Sequence, residues 1–203
     1  YTVSAGEKKS YDPYTPSKEQ DANTDNLQLT KSFSEQKGMI GNNPLITQDF
    51  MADPTAVEYD GRLYVFGTAD KMETDSKGNV ISNSYNTCEL RCISSADLVN
   101  WTDHGTIAVS GNKGAAKWSA NSWAPAVCHK KINGKEKFFL YFANNASSIG
   151  VLTADSPTGP WTDPIGKPII DRSITGCAES EIGWLFDPAV LVDDDGTGYL
   201  YFG

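Results

Sequence analysis

The chain holds 203 residues with a net charge of -9 at neutral pH and an aromatic share of 11%, which suffices for one domain with a sizeable core. A pI near 4.6 argues against nucleic acid or an anionic membrane surface as partner, since either would be repelled, while neutral and cationic ligands remain open. No run of eighteen apolar residues is present to span a bilayer as a helix.

Residues 1–38 are rich in Ser, Thr, Lys, Asp, Asn and Gln and follow neither a period of 2 nor one of 3.6, so a linker or an extended arm is expected there, with a folded domain over 39–203. The texture changes at Asn43-Pro44 to short apolar runs punctuated by Gly, Pro, Asn and Asp. The chain starts at Tyr1 without an apolar signal segment, as a mature secreted protein or a trimmed one would. An extracellular or cell-surface location is expected, with the periplasm as the alternative.

The first unit opens at Ala52-Asp53-Pro54-Thr55-Ala56-Val57, turns at Asp60-Gly61 and returns through Leu63-Tyr64-Val65-Phe66. Asp-Gly tolerates the positive φ that a tight hairpin needs, so two strands are predicted to meet here. Residues 70–84 read as a polar loop, 87–94 as the next strand, and 95–102 as a turn entering an outermost strand. A second unit repeats the pattern from Trp123-Ala124-Pro125 through an Asn133-Gly134 turn to the strands 138–143 and 149–154, closing on Pro160-Trp161-Thr162. A third opens at Trp184-Leu185-Phe186-Asp187-Pro188 and ends with Tyr199-Leu200-Tyr201-Phe202-Gly203.

Pro54 and Pro125 are 71 residues apart, Pro125 and Pro188 63 apart. That spacing holds about four short strands, the content of a β-propeller blade. The fold class is therefore all-β, with two blades and the inner half of a third in this chain. A closed propeller has at least four blades, so the others are expected in a second polypeptide, most simply the other half of a chain cleaved after Gly203.

Proline at the head of an innermost strand can forgo its ladder hydrogen bond, and it is expected to hold the preceding residue extended. The preceding residues are Asp53, Ala124 and Asp187, and the inner strands of a propeller converge on its central channel. Asp-Pro can simply initiate a turn, yet two copies in register facing one mouth point to a functional pair. Two carboxylates at one pocket are the minimum equipment for acid/base hydrolysis of a glycosidic bond. Trp123 and Trp184 stand beside them, either as core fillers or as pocket walls on which the apolar face of a sugar stacks. Trp101 and Trp161 suit packing between blades. Asn144 and Asn145 are placed to reach a ligand or to cap a turn, and Asn144 joins Trp123 and Trp184 as a substrate-binding candidate.

Asp193-Asp194-Asp195-Gly196 lacks the alternating spacing of a calcium loop and is read as a hairpin turn. His104 and His129 form no metal pair. Cys88, Cys92, Cys128 and Cys177 have no C-x-x-C spacing and are expected to be structural, either buried or bridged. There is no nucleophile elbow, P-loop or dinucleotide fingerprint.

The run from Trp123 through Asp155-Ser156-Pro157-Thr158-Gly159-Pro160-Trp161-Thr162 to Pro168, with Trp184 to Val190 and Asp193 to Tyr201, resembles glycoside hydrolase family 43, and within it the bacterial arabinoxylan arabinofuranohydrolases. The resemblance covers residues 43–203. It implies a five-bladed propeller and an inverting mechanism that releases α-L-arabinofuranosyl side groups from arabinoxylan. It also implies Asp53 as general base, Asp187 as the residue that tunes and orients the acid, and Trp123 and Trp184 as pocket walls. The acid itself would be a Glu of the fourth blade, outside this chain, and Glu179 and Glu181 do not match it. No cofactor is required, although some members hold a calcium ion in the central channel, here through residues outside this chain. β-Xylosidase or arabinanase activity, and a non-catalytic carbohydrate-binding propeller, are the alternatives.

Overall fold

A computed structural model describes residues 45–46 and 49–203; the expected polar arm over 1–38 and the domain start at 39 lie outside the described residues. The described residues form strands, turns and bends with no helix, which bears out the all-β class. β1 (Ala52–Tyr59), β2 (Arg62–Thr68), β5 (Glu89–Ser95) and β6 (Thr102–Ala108) make a four-stranded antiparallel sheet in that order. The β1–β2 turn has Asp60 and Gly61 at φ 51° and 71°, the geometry that the Asp-Gly pair predicts.

β3 (Lys71–Thr74) and β4 (Val80–Ser84) form a separate hairpin where a polar loop was expected. Its turn is made by one carboxylate: Asp75 Oδ1 accepts from the amides of Lys77 and Asn79 at 2.8 and 2.9 Å, and Oδ2 from Asn79 Nδ2 at 3.0 Å. A locally closed Asx turn fixes the reversal between the two strands.

The second sheet runs β7 (Trp123–Ile132), β8 (Lys135–Asn144) and β9 (Ser148–Ala154). Its expected outermost strand is reduced to one bridge, in which Thr153 and Thr162 exchange backbone hydrogen bonds of 2.8 and 2.9 Å. Pro157, Pro160 and Pro164 flank Thr162, and residues without an N–H cannot extend a ladder. The third sheet is the hairpin of β10 (Ala189–Val192) and β11 (Gly198–Tyr201). Its turn is longer than the two-residue turn of β1–β2, with Asp193 N donating to Thr197 O at 2.9 Å and Gly196 N to Asp193 O at 2.8 Å.

The apolar core lies between successive sheets. Phe66, Leu90, Cys92 and Val109 of the first unit pack on Val127, Leu140, Phe142 and Leu152 of the second. Trp161 joins them edge-on to Phe66 with centroids 6.2 Å apart, the inter-sheet role expected of it, while Trp101 belongs to neither core cluster. A second cluster of Ala143, Ile149, Cys177 and Leu185 gathers Phe186, Leu200 and Phe202 from the third unit. Truncating a fully buried phenylalanine such as Phe66 or Phe142 costs about 3–5 kcal/mol, so this stacking fixes the heads of β1, β7 and β10 relative to one another. All four cysteines are free thiols, three of them buried, so the bridged alternative does not hold.

Candidate active site

The three X-Pro heads share one irregularity. Ala52 pairs with Thr68 and Thr55 with Phe66, so Asp53 and Pro54 together oppose the single residue Gly67. Trp123 pairs with Ala143 and Ala126 with Tyr141, so Ala124 and Pro125 oppose Phe142 in the same way. Phe186 and Gly203 exchange backbone hydrogen bonds of 3.2 and 3.0 Å before Ala189 pairs with Tyr201, which sets Asp187 and Pro188 against Phe202. Each is a β-bulge, in which one extra residue bends the strand and re-aims a side chain.

The bulge overturns the expectation that proline holds the preceding residue extended. Asp53, Ala124 and Asp187 have φ of 48°, 41° and 49°. This region costs an L-residue about 1–2 kcal/mol and is tolerated best by Asp and Asn. Proline as the second bulge residue has no N–H to leave unpaired. Opposite the first bulge a Cβ on Gly67 would stand 2.8 Å from Ala52 O, so only glycine lets the bulge close there. The middle bulge is tied to the first sheet, with Ala124 N donating to Thr68 Oγ1 at 2.9 Å.

Asp53 and Asp187 line one cavity of about 450 Å³ together with Thr68, Thr87, Trp123, Trp184 and Phe186. Two further lining residues, Asp70 and Tyr85, were not singled out in the sequence. Burial, and then the charge of Asp53, push the Asp187 carboxyl above its ordinary value. The same two causes, in the same order, raise Asp70. Asp53 is thus the common electrostatic neighbour of both.

The walls are aromatic. Trp123 Nε1 donates to Tyr85 O at 2.7 Å and its ring meets that of Tyr85 edge-on at 6.4 Å. Trp184 is 66% exposed and leans on Phe186 with centroids 5.3 Å apart. Its loop is anchored from behind: Leu185 N donates to Ala146 O, and the Arg172 guanidinium donates to the carbonyls of Ala146, Ile182 and Gly183.

Asn144 is not among the lining residues. Its Oδ1 accepts from the amides of Ala120 and Asn121 at 2.9 and 3.2 Å, and its Nδ2 donates to Ser148 Oγ at 3.2 Å, so of its two expected roles it fills the local one. Glu179 and Glu181 are exposed and also stand outside the cavity lining. His129 bridges Glu136 Oε1 and Glu58 O at 2.6 and 3.1 Å, a structural use. A larger hollow of about 520 Å³ is lined by Leu45, Phe50, Val65 and Ile93, and its one charged lining residue, Asp49, is paired with Arg91. It lacks the convergent polar groups of a site.

No three His, Cys, Asp or Glu side chains among the described residues are grouped to hold a metal ion.

An acidic cavity walled by indole and phenyl rings has the composition of a carbohydrate-active site. The comparisons with known proteins agree: the chain belongs to glycosyl hydrolases family 43, whose sequence profile matches residues 41–203. It is 58% identical over 172 residues to an arabinoxylan arabinofuranohydrolase of Bacillus subtilis, covering 81% of this chain and 33% of that protein. It is 55% identical over 168 residues to one of Paenibacillus polymyxa, covering 79% and 26%. A xylosidase/arabinosidase of Humicola insolens is 34% identical over 168 residues, covering 79% and 45%. The crystal structure of a Bacillus subtilis family 43 arabinoxylan arabinofuranohydrolase in complex with cellotetraose superposes with a TM-score of 0.75 at 57% identity, over 79% of this chain and 34% of that one. The chain thus spans a third or less of the two arabinofuranohydrolases. In both, the matched stretch lies within one longer polypeptide, which gives the expected separate second chain no support.

Proposed function

We propose that this chain carries the base side of the active site of an inverting α-L-arabinofuranosidase acting on the side groups of arabinoxylan. One observation supports the reading above all: the same bulge occurs three times, and where it holds aspartate, at Asp53 and Asp187, the carboxylates face one cavity beside Trp123 and Trp184. Ala124 in the middle bulge means that the fold itself does not require a carboxylate there. The three sheets are then blades 1, 2 and the inner half of 3 of a five-bladed propeller.

In this reading Asp53 accepts a proton from the water that attacks the anomeric carbon. Inverting enzymes set base and acid about 6.5–9.5 Å apart to admit that water. Asp187, whose proton is held more tightly than usual by burial and by Asp53, serves as the second carboxylate that tunes and orients the acid. The acid is a glutamate from the part of the family fold that this chain does not span. Trp123 and Trp184 hold the apolar face of the sugar. A polymeric substrate supports a location outside the cell or on its surface. β-Xylosidase activity is the second reading, favoured by the Humicola insolens relative, whose name carries both activities.

Incubation of the full-length protein with arabinoxylan tests the assignment, with the free sugar followed by proton NMR. Arabinose should appear first as the β-anomer. Release of xylose alone would move the assignment to the second reading, and tight binding with no free sugar would move it to a binding protein.

A further inference from the structure

We propose that Asp70 is a substrate-binding, specificity-determining residue whose carboxylate accepts a hydrogen bond from one hydroxyl of the sugar held over Asp53. The inference rests on the glycosidase reading above and deepens it.

Asp70 lies two residues beyond Thr68, the last residue of β2. Aligned on the bulges, Thr68 corresponds to Ala143, so the counterpart of Asp70 is Asn145. In the second unit that position is consumed locally, with Asn145 Oδ1 accepting from Asn121 Nδ2 at 2.6 Å. In the first unit the backbone is held by hydrogen bonds of its own. Ala69 N donates to Glu89 O at 3.1 Å, Asp70 N donates to Thr68 O at 3.1 Å, and the buried Thr87 hydroxyl reaches Ala69 O at 3.0 Å. The Asp70 carboxylate nevertheless accepts no hydrogen bond from any described residue, and it lines the cavity that also holds Asp53 and Asp187.

A half-buried carboxylate with no donor among the described residues, set near a second carboxylate, is costly to keep. Its raised pKa, from burial and from Asp53, records that cost. A fixed backbone presenting an acceptor with no donor among the described residues into a ring-walled cavity is the arrangement of a preorganised ligand contact. An anion is repelled there, and the carboxylates are not grouped for a metal ion. Neutral O–H donors fit, and a sugar supplies them on the edges of the ring whose face stacks on indole.

The test compares wild type, Asp70→Asn and Asp70→Ala in the full-length protein, using 4-nitrophenyl α-L-arabinofuranoside and its 2-, 3- and 5-deoxy analogues. Asp70→Ala should lower kcat/KM on the parent glycoside by about 10- to 150-fold, the value of a hydrogen bond to a charged group. On the analogue lacking the partner hydroxyl, the variant and wild type should agree within about 2-fold. Asp70→Asn, which keeps one acceptor, should fall between, with an unfolding midpoint at or above that of wild type. Equal losses on all four substrates, or no loss on the parent, would overturn the assignment. A wild type inert on the arabinofuranoside but active on the xyloside would instead fail the arabinofuranosidase reading, and the same deoxy comparison on the xyloside would then decide Asp70.

Discussion

Replacing Arg172 with alanine tests whether the Trp184 wall of the cavity is held from behind. Its Nη2 donates to Ala146 O at 2.7 Å and to Gly183 O at 3.0 Å, and its Nη1 to Ile182 O and, at 3.4 Å, to Cys177 O. The last is long, which leaves three good bonds from a charged donor, each worth about 1.5–3 kcal/mol where water cannot replace it. Arg172 is half-buried and water replaces part of each bond, so about 1 kcal/mol apiece, or about 3 kcal/mol in all, is the expected loss for Arg172→Ala. For a domain of this size that lowers Tm by about 6–12 °C in a thermal melt. Because Gly183 directly precedes Trp184, KM for an arabinofuranoside should rise more than kcat falls. Arg172→Lys should recover less than half of the Tm, since a point ammonium cannot span carbonyls on both sides of the loop. An alanine variant within about 2 °C of wild type, or a lysine variant equal to it, would refute the reasoning.

Two further expectations concern ionisation. Burial pushes the Cys92 thiol up to about 12 and the Cys128 thiol up to about 11, and Cys177 is buried as well; a thiol reagent at pH 8 should therefore label Cys88 first in the native protein and all four only after denaturation. Asp187 is raised above 3.8 by burial and by Asp53, so its protonated form favours the fold below that value and the stabilisation is lost as pH rises through the folded pKa. Asp187→Asn should accordingly raise Tm at pH 7 while reducing turnover, with the Tm gain vanishing below about pH 4. Melts across pH 3–8 check this, and a Tm gain that persists at the acid end would contradict the electrostatic cause.

The hairpins at Asp60-Gly61 and Asn133-Gly134 were legible because their positive φ is a local demand that those residues meet. The three head positions were legible because the repeat printed them in register, and Asp53, Asp187, Trp123 and Trp184 do share one cavity. The backbone at those heads was not legible. A bulge is a count of residues against the partner strand, whereas the proline rule sees only the neighbouring residue. Asn144 shows the same limit, since what it binds lies more than twenty residues upstream at Ala120 and Asn121. Asp70 hid in a polar stretch, and its one sequence signal was its alignment with Asn145 two positions beyond the inner hairpin.

In the full-length protein Asp53→Asn keeps the size and the tolerance for positive φ of the native residue but removes the carboxylate proposed as the base. Arabinose release from arabinoxylan should fall at least about a thousandfold, with the unfolding midpoint preserved, since positioned acid–base groups contribute about 10²- to 10⁴-fold and the loss of an essential base reaches the upper part of that range. Release within about tenfold of wild type would contradict the assignment of Asp53 as the base.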